Sequence, residues 1–332
     1  MKRYGYHRTS TREQHLDRGI TEINAYCSAN NLELEKIFTD QQTGKNFNRP
    51  RYTIMKEELL AELNALVGLN RVKQQINDLI AYQSVQKLRR EKGFYSSKNT
   101  LHMAFIGNPG TGKTTVARSV GHIYRKLGLL SKGHFIEVSR TDLIAGYQGQ
   151  TALKVKKVIE NAKGGVLFID EAYSITENDH SDSYGRECLT ELTKALEDYR
   201  DDLVVIVAGY TEPMKLFFDS NPGLKSRFNT FIEFDDYSSD ELISILETIC
   251  DKNAYRIDDE LKMSLKDYFA FEISKKQEHF ANGRLARNIY DDLVLNHARR
   301  VNAIEQPTDE ELLVLFSCDF KGMISIDENC VC

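Results

Sequence analysis

The fold is decided by residues 101–115, which read LHMAFIGNPGTGKTT. The apolar run 102–106 predicts a strand, and TTVARSVGHIYRKL (114–127) has the spacing of a helix. Between them, GNPGTGKT (107–114) fits the pattern GxxxxGK[ST]. A strand, a glycine-rich loop and a helix in this order predict a P-loop, whose backbone N–H groups and helix N-terminus surround phosphate groups.

The P-loop supplies the candidate contacts to ATP. Lys113 is expected to reach the β and γ phosphates, and Thr114 to offer its hydroxyl group to Mg²⁺. A glycine-rich turn that matches by chance is the alternative, and the flanking strand and helix argue against it. The predicted ATP contacts are Asn108, Pro109, Gly110, Thr111, Gly112, Lys113, Thr114 and Thr115.

Two acids follow a second apolar run, VLFIDE at 166–171. A carboxylate at the C-terminal end of a parallel strand lies at the ligand-binding edge of the sheet. Asp170 is therefore predicted to hold the hydrated Mg²⁺, and Glu171 to orient and polarise the attacking water as a general base. Two such acids also suit a helix N-terminus, but the upstream P-loop favours the catalytic interpretation.

Short apolar runs alternate with helical stretches through the middle of the chain, which indicates an α/β fold: a parallel sheet with helices on both faces. Helices with leucine and isoleucine at spacings of three and four precede the sheet, over 59–66 and 72–80. The predicted strands are HMAFIG (102–107), HFIEVS (134–139), GGVLFID (164–170), LVVIVAG (203–209) and FIEF (231–234).

The two ends of the chain have other patterns. Strands are expected to stop after Phe234, and a helical lid is predicted to begin at SSDEL (238–242), where Ser239 precedes two acids. At the N-terminus, a strand, a helix and a strand (LELEKIF, 32–38) form a small βαβ fragment, followed by a polar loop. We divide the chain into an N-terminal fragment (1–53), an α/β core (54–236), a helical lid (237–320) and a tail (321–332).

Composition restricts the functional class. The chain has 332 residues, enough for two or three compact units, and a net charge of -5, which argues against a general attraction to nucleic acid or acidic lipid. Its six cysteines lack CxxC spacing, so we expect reduced thiols rather than a zinc site. The longest apolar stretch, 203–209, is too short to span a bilayer, and no signal peptide is evident, which predicts a cytoplasmic protein without a membrane partner.

Six ordered segments identify a resemblance that runs from Leu59 to Phe320. They resemble the AAA+ group that contains stage V sporulation protein K and the red-type Rubisco activases. The resemblance implies a P-loop NTPase core with a C-terminal helical lid, hydrolysis of ATP with Mg²⁺, and a homo-oligomer, a hexameric ring, that acts on a protein client. The segments are LHMAFIGNPGTGKTT (101–115), HFIEVSRTDLIAGYQGQTA (134–152), GGVLFIDEAYSI (164–175), DDLVVIVAGY (201–210), FFDSNPGLKSRF (217–228) and FANGRLARN (280–288).

The resemblance also assigns two catalytic arginines. Arg227 matches the arginine finger that family members insert into the ATP site of the neighbouring subunit, where a cation stabilises the charge of the transferred phosphoryl group. Without the resemblance, Arg227 would be read as half of a surface ion pair. Arg284 matches the sensor arginine of the lid, with Arg287 one turn later as the alternative.

Two further positions concern the client and the attacking water. Tyr147, between two glycines, matches the aromatic pore-loop residue with which related rings grip a polypeptide, and the alternative is a tyrosine that packs against its own subunit. Gly209 and Tyr210 stand where much of the wider superfamily has a polar sensor, often Asn. The residue that helps Glu171 to position water is therefore left open.

The N-terminal fragment resembles a different family. YHRTSTREQ (6–14) and FTDQQTGKNFNRP (38–50) resemble the start of a serine recombinase catalytic domain of the resolvase and invertase family. Ser10 matches the nucleophile, Arg8 an active-site arginine, and Arg49 lies in the matching loop. The later strands, the arginine-rich segment, the dimer helix and the DNA-binding domain have no counterpart before the core, so Ser10 would lack most of its transition-state stabilisation.

We therefore interpret Arg8 and Ser10 as a vestigial recombinase site. A recombinase or DNA-associated protein with an accessory ATPase remains the alternative function, and it requires that the chain cleave or bind DNA. The alternative origins of the fragment are a truncated gene fusion and a misjoined reading frame. Its alternative role is that of a small docking module.

Overall fold

The computed structural model describes residues 4–9, 16–30, 32, 34, 36–41, 60–95, 100–147, 149–176, 183–275 and 279–321. No helix among these residues is long and apolar enough to cross a membrane.

The N-terminal fragment contains β1 (Tyr4–Thr9), α1 (Leu16–Ala29) and β2 (Lys36–Gln41). The two strands pair in parallel over their full length, which confirms the predicted βαβ arrangement. β2 begins later than predicted because the Leu32 N–H still donates to the Cys27 carbonyl at the end of α1, at 2.8 Å. Arg8 lies in β1, whereas Ser10 and Arg49 lie outside the described residues.

A five-stranded parallel sheet forms the centre of the molecule, and all five predicted strands are confirmed. Its strands lie in the order β4-β5-β6-β3-β7, so β3, the first of the five in the chain, lies between β6 and β7. The strands are β3 (Met103–Gly107), β4 (Phe135–Val138), β5 (Val166–Ile169), β6 (Val204–Gly209) and β7 (Thr230–Phe234).

Helices cover both faces of this sheet. Alternate residues of β5 divide between two apolar clusters: Phe168 packs with the helices over 70–91 and 113–126, and Leu167 packs with those over 151–162, 183–198 and 211–219. Both faces are buried, which explains why β5 and β6 are apolar without alternation. The helices of the core are α2 (Asn70–Glu91), α3 (Lys113–Lys126), α4 (Arg140–Leu143), α5 (Thr151–Ala162), α6 (Ser183–Asp198), α7 (Thr211–Asp219) and α8 (Pro222–Lys225).

A helical lid follows the sheet, as predicted. Its first helix begins within the predicted SSDEL segment, and Ser238 is the N-cap: the Ser238 hydroxyl accepts from the Glu241 N–H at 3.3 Å, and the Glu241 carboxylate accepts from the Ser238 N–H at 2.9 Å. The lid helices are α9 (Ser239–Lys252), α10 (Asp259–Ser274), α11 (Gly283–Val301) and α12 (Asp309–Leu313).

The lid also contains two short strands, so the expectation that strands end at Phe234 is wrong. β8 (Arg256–Ile257) pairs in parallel with β9 (Val314–Leu315). A buried ion pair holds the end of the lid beside them, because Arg300 Nε lies 2.9 Å from a carboxylate oxygen of Asp319, which is almost fully buried. Two-residue strands carry no periodic signal, and this is why the sequence did not reveal them.

Candidate active site

The P-loop lies at the C-terminal edge of the sheet, between the end of β3 and the start of α3. Gly110 and Gly112 both have positive φ, 73° and 91°. A Cβ atom at position 110 would lie 2.2 Å from the Ala281 carbonyl oxygen of the lid. The loop therefore needs glycine for its backbone conformation and for its close approach to the lid.

Lys113 is held inside the P-loop by two backbone carbonyl groups. Its Nζ atom donates to Gly107 O at 2.8 Å and to Asn108 O at 2.7 Å. Burial lowers the pKa of Lys113 to about 8, while the nearby Asp170 carboxylate opposes that shift. A phosphate group would offer this buried ammonium a stronger, charged acceptor than the loop carbonyls do.

Asp170 and Glu171 follow the last residue of β5, and both line the same cleft as the P-loop. The Asp170 N–H donates to Val138 O at 3.0 Å, which continues the sheet to this point. Glu171 has a left-handed backbone, with φ 47° and ψ 46°, and such a conformation costs about 1–3 kcal/mol for a residue other than glycine. Strain of this kind is concentrated at functional sites, where it aims a side chain.

The cleft between the sheet edge and the lid has a volume of about 770 Å³. Among the predicted ATP contacts, Thr111 and Asn108 do not line the cleft, because Thr111 is buried and the Asn108 side chain donates to Asp236. The other predicted contacts do line it: Pro109, Gly110, Gly112, Lys113, Thr114 and Thr115. Apolar side chains complete the lining, those of Leu66, Val67 and Leu69 and those of Ile245 and Ile249 of α9. A cleft that combines cationic and hydroxyl groups with apolar side chains fits a nucleoside triphosphate.

The apolar residues that line the cleft were not identified from the sequence. Leu66, Val67, Ile245 and Ile249 have the helical spacing of ordinary core residues, and only the tertiary structure separates the cleft-lining ones from the rest. The LVGL segment (66–69) offered a weak signal, because a glycine there separates the two predicted helices.

The oxygen atoms available in the cleft also fit a divalent cation. The Thr114 hydroxyl group and the Asp170 carboxylate both line the cleft. These are the hard oxygen ligands that Mg²⁺ takes beside phosphate oxygens and water.

Both candidate sensor arginines reach the cleft from the lid. Arg284 and Arg287 lie in the first turns of α11 and line the cleft, and the Gly283 N–H just before them donates to Gly110 O of the P-loop at 3.1 Å. Arg284 is close enough to Lys113 to contribute to the lowering of the Lys113 pKa that burial dominates. The geometry brings both arginines to the site and keeps the alternative between them open.

The end of β6 also lines the cleft through Gly209 and Tyr210. The Tyr210 ring lies 4.4 Å from the ring of His279 in the lid and 5.7 Å from the ring of Tyr173. A Cβ atom at Gly209 would lie 2.7 Å from Tyr173, so packing excludes an Asn side chain here in the present arrangement. The sheet edge therefore carries an aromatic group at the position that is often Asn in the wider superfamily.

Arg227 lies outside this cleft, between α8 and β7. Its Nη1 atom donates to Gly223 O at 2.7 Å, and its Nε atom lies 3.8 Å from a carboxylate oxygen of Glu197. That Nε group is buried without a hydrogen-bond partner. Arg227 therefore cannot serve the ATP site of its own subunit in this arrangement.

Tyr147 also lies away from the cleft, in the loop between α4 and α5. Its side chain is 73% exposed, and an added Cβ at Gly146 or Gly149 would meet no atom within 4 Å. The alternative that this tyrosine packs against its own subunit is therefore not what the structure shows.

Three sequence-family profiles match the chain. The profile of the ATPase family associated with various cellular activities (AAA) matches residues 103–236, and that of the AAA lid domain matches 238–329. The profile of the resolvase N-terminal domain matches residues 3–92, which extends beyond the predicted boundary at residue 53.

Curated relatives cover most of the chain. It is 46% identical to protein CbxX, chromosomal, of Cupriavidus necator, over 74% of this chain and 77% of that protein. It is 38% identical to stage V sporulation protein K of Bacillus subtilis, over 84% and 87%. It is 42% identical to the chloroplastic ribulose bisphosphate carboxylase/oxygenase activase of Cyanidioschyzon merolae, over 80% and 90%. The resemblance proposed from the six segments is thereby confirmed.

Proposed function

The chain belongs to the AAA ATPase family, whose members hydrolyse ATP with Mg²⁺, and we propose that it works as a ring of identical subunits that remodels a protein client. One observation carries the proposal. Lys113, Asp170, Glu171 and Arg284 meet in one cleft, whereas Arg227 lies outside it. A site that needs all five is complete only between two subunits.

Each residue of the cleft has a distinct role in this proposal. Lys113 and Arg284 bind phosphate oxygens, and Thr114 and Asp170 hold Mg²⁺, which neutralises phosphate charge when bound. Glu171 orients the attacking water and accepts its proton. Arg227 of the adjacent subunit stabilises the charge that develops on the transferred phosphoryl group.

The shared site can be tested by mixing two inactive variants. Glu171→Gln should retain a working finger, and Arg227→Ala should retain a working cleft. In a head-to-tail ring, random mixing of equal amounts pairs an intact cleft with an intact finger at about one interface in four. We expect ATP turnover to recover in that mixture.

The matched control mixes Glu171→Gln with Lys113→Ala. Both changes damage the cleft of their own subunit, so no interface in that mixture is complete and turnover should stay low. Equal recovery in both mixtures, or in neither, would reject Arg227 as a finger that acts across the interface.

The proposed gripping residue is Tyr147, and its client can be sought with an ATP-locked ring. Relatives are named for a carboxylase and for sporulation, so their names do not select one client. Glu171→Gln should retain a client in the presence of ATP, and adding Tyr147→Ala should release it, whereas adding Tyr95→Ala, at another exposed tyrosine, should not. Retention that is indifferent to Tyr147 would refute the gripping role.

A second candidate function rests on the resolvase profile match over residues 3–92. A DNA-associated protein or recombinase would use Ser10 as nucleophile, with the ATPase as an accessory. Incubation of the full chain with labelled supercoiled and linear DNA would test this, with Ser10→Ala as control. A covalent protein–DNA adduct that Ser10→Ala abolishes would establish the second function.

A further inference from the structure

Asn282 has a backbone conformation that favours glycine, and yet its side chain is fully buried. It occupies the second position of a turn closed by the Arg284 N–H, which donates to Ala281 O at 3.0 Å. Its φ of 49° and ψ of −126° are those of a type II′ turn, where glycine is the common residue. A non-glycine residue at such a position indicates that its side chain is needed.

The carboxamide group of Asn282 joins three parts of the molecule. Its Nδ2 atom lies 2.7 Å from Asp236 Oδ1, 2.9 Å from Phe280 O and 3.3 Å from Pro109 O, and its Oδ1 atom accepts from the Tyr237 N–H at 2.8 Å. Pro109 belongs to the P-loop, Asp236 and Tyr237 to the connection between core and lid, and Phe280 to the lid. One side chain therefore bridges all three.

Successive P-loop residues are all attached to the same assembly. Asn108 donates to both carboxylate oxygens of Asp236, at 2.9 and 3.0 Å. Gly110 O accepts from the Gly283 N–H at 3.1 Å, and Thr111 O accepts from the Tyr237 hydroxyl group at 3.2 Å. With the Pro109 contact, every residue from 108 to 111 is bonded to the lid or to its connection.

We propose that Asn282 is a positioning residue that fixes the start of α11 on the P-loop and thereby sets the place of Arg284 in the cleft. The P-loop and the lid then shift together when phosphate groups bind or leave. Asp236 contributes to this coupling because it accepts hydrogen bonds from both Asn108 of the P-loop and Asn282 of the lid. This inference rests on the proposed function, since it gives Arg284 a role in ATP turnover. By linkage, whatever moves the lid also changes nucleotide affinity.

The first test uses Asn282→Gly, because glycine keeps the turn and removes only the carboxamide. We expect kcat for ATP to fall about tenfold, with a smaller change in KM, because the lost contacts position Arg284 instead of binding ATP uniformly. In an Arg284→Ala background, Asn282→Gly should cause little further loss, since a residue that acts through another is not additive with it. Full additivity of the two effects would contradict the proposal.

The second test exchanges the two partners. Asn282→Asp alone places a carboxylate against that of Asp236, where the paired atoms are now 2.7 Å apart, and should impair turnover more than Asn282→Gly. Adding Asp236→Asn restores a donor opposite an acceptor at this contact, although one of the two Asn108 hydrogen bonds is lost, and should recover turnover at least threefold over Asn282→Asp alone. Absence of recovery would show that the pair does not act as a unit.

A readout independent of turnover is amide hydrogen exchange in the nucleotide-free protein. Asn282→Gly should speed exchange in the P-loop and in the first turn of α11 together. The control is Asn296→Ala, which removes a lid hydrogen bond to Asp319 O at 3.0 Å without touching the P-loop, and it should leave P-loop exchange and kcat unchanged. Faster exchange in α11 alone would reject the coupling.

The outcomes separate this inference from the proposed function. Wild-type turnover that Lys113→Ala abolishes, together with normal kcat in Asn282→Gly, would overturn the inference and leave the ATPase assignment intact. Absence of turnover in the wild-type chain would count against the proposed function, whereas the exchange experiment would still decide whether Asn282 joins the P-loop to the lid.

Discussion

The AAA core with its lid and the resolvase-like N-terminal fragment differ in how much of a working site each contains. The core places a P-loop, two acids and two lid arginines around one cleft. In the fragment, residues 4–9, 16–30, 32, 34 and 36–41 form one parallel strand pair and one helix, and Tyr26 on that helix is 65% exposed. In the core, the candidate catalytic residues lie where the lid packs on the C-terminal edge of the sheet, and these described residues of the fragment contain no counterpart of the lid.

The boundary between the fragment and the core falls at different residues when it is defined by the family-profile match and when it is defined by side-chain packing. The resolvase profile extends to residue 92 and so includes α2. Val72, Ile76 and Ile80 of α2 nevertheless pack in the same buried cluster as Phe105 of β3, and Arg71 lies 3.0 Å from Glu233 of β7. By packing, α2 belongs to the core.

The sharpest test of the comparison replaces one residue in each region. Glu171→Gln should lower kcat by about 10²–10⁴, because the general base for the attacking water is lost. Ser10→Ala should leave ATP turnover unchanged. Steady-state ATP hydrolysis by both variants checks this, and a large loss in Ser10→Ala would break the separation between the two regions.

The assignment of α2 can be tested by stability. Ile76 is almost fully buried, so Ile76→Ala should lower the free energy of unfolding of the core by about 2–5 kcal/mol. Cys27→Ala, at a buried residue of α1, should change it little. Denaturant unfolding monitored through the core measures both, and comparable effects would mean that the fragment and the core unfold as one unit.

A buried histidine gives the core a pH dependence of its own. His102 donates from Nε2 to Leu196 O at 2.9 Å and accepts from the Val205 N–H at Nδ1, at 3.1 Å, so it is neutral, and burial lowers its pKa to about 4. Between pH 6.5 and 4 the unfolded chain takes up the proton more readily. Stability should therefore fall by up to about 3 kcal/mol as pH falls through that range.

The measurement is the free energy of unfolding at several pH values, for wild type and for His102→Phe. The variant should lose this part of the pH dependence, even if it is less stable throughout. Phe228→Leu, which alters the ring packed 5.9 Å from that of His102 and removes no titratable group, serves as control and should keep the wild-type slope. An unchanged slope in His102→Phe would exclude His102 as the cause.

The smallest expected effect concerns the start of the lid. Ser238→Ala should lower stability by about 1 kcal/mol, because the lost hydroxyl group accepts from the Glu241 N–H and donates to the Glu241 carboxylate. Ser239→Ala is the matched control and should be nearly neutral. Thermal unfolding distinguishes them, and the reverse order would return the cap to Ser239.

Sequence reasoning recovered the parts of the fold that rest on local patterns. The five strands, the P-loop and the acids after β5 follow from apolar runs next to glycine and carboxylate residues. It did not identify Ile245 and Ile249 as cleft-lining residues, nor Asn282 as a bridge between the P-loop and the lid. Both depend on how the lid packs against the core. The β8 and β9 pair was missed because two residues have no period.

Sequence also could not tell which side of a subunit Arg227 occupies. The SRF segment gave its identity through family resemblance, but only the structure shows that its guanidinium group contacts Gly223 O and approaches Glu197, away from the cleft. Tyr147 is similar, since its exposure is a property of the folded loop.

The central claim is that a complete ATP site forms only between subunits. The most direct measurement is ATP turnover per subunit against protein concentration, with the mass of the assembly determined in the same samples. Turnover per subunit is expected to rise cooperatively as subunits assemble into a ring. Constant turnover per subunit in a protein that remains monomeric would contradict it.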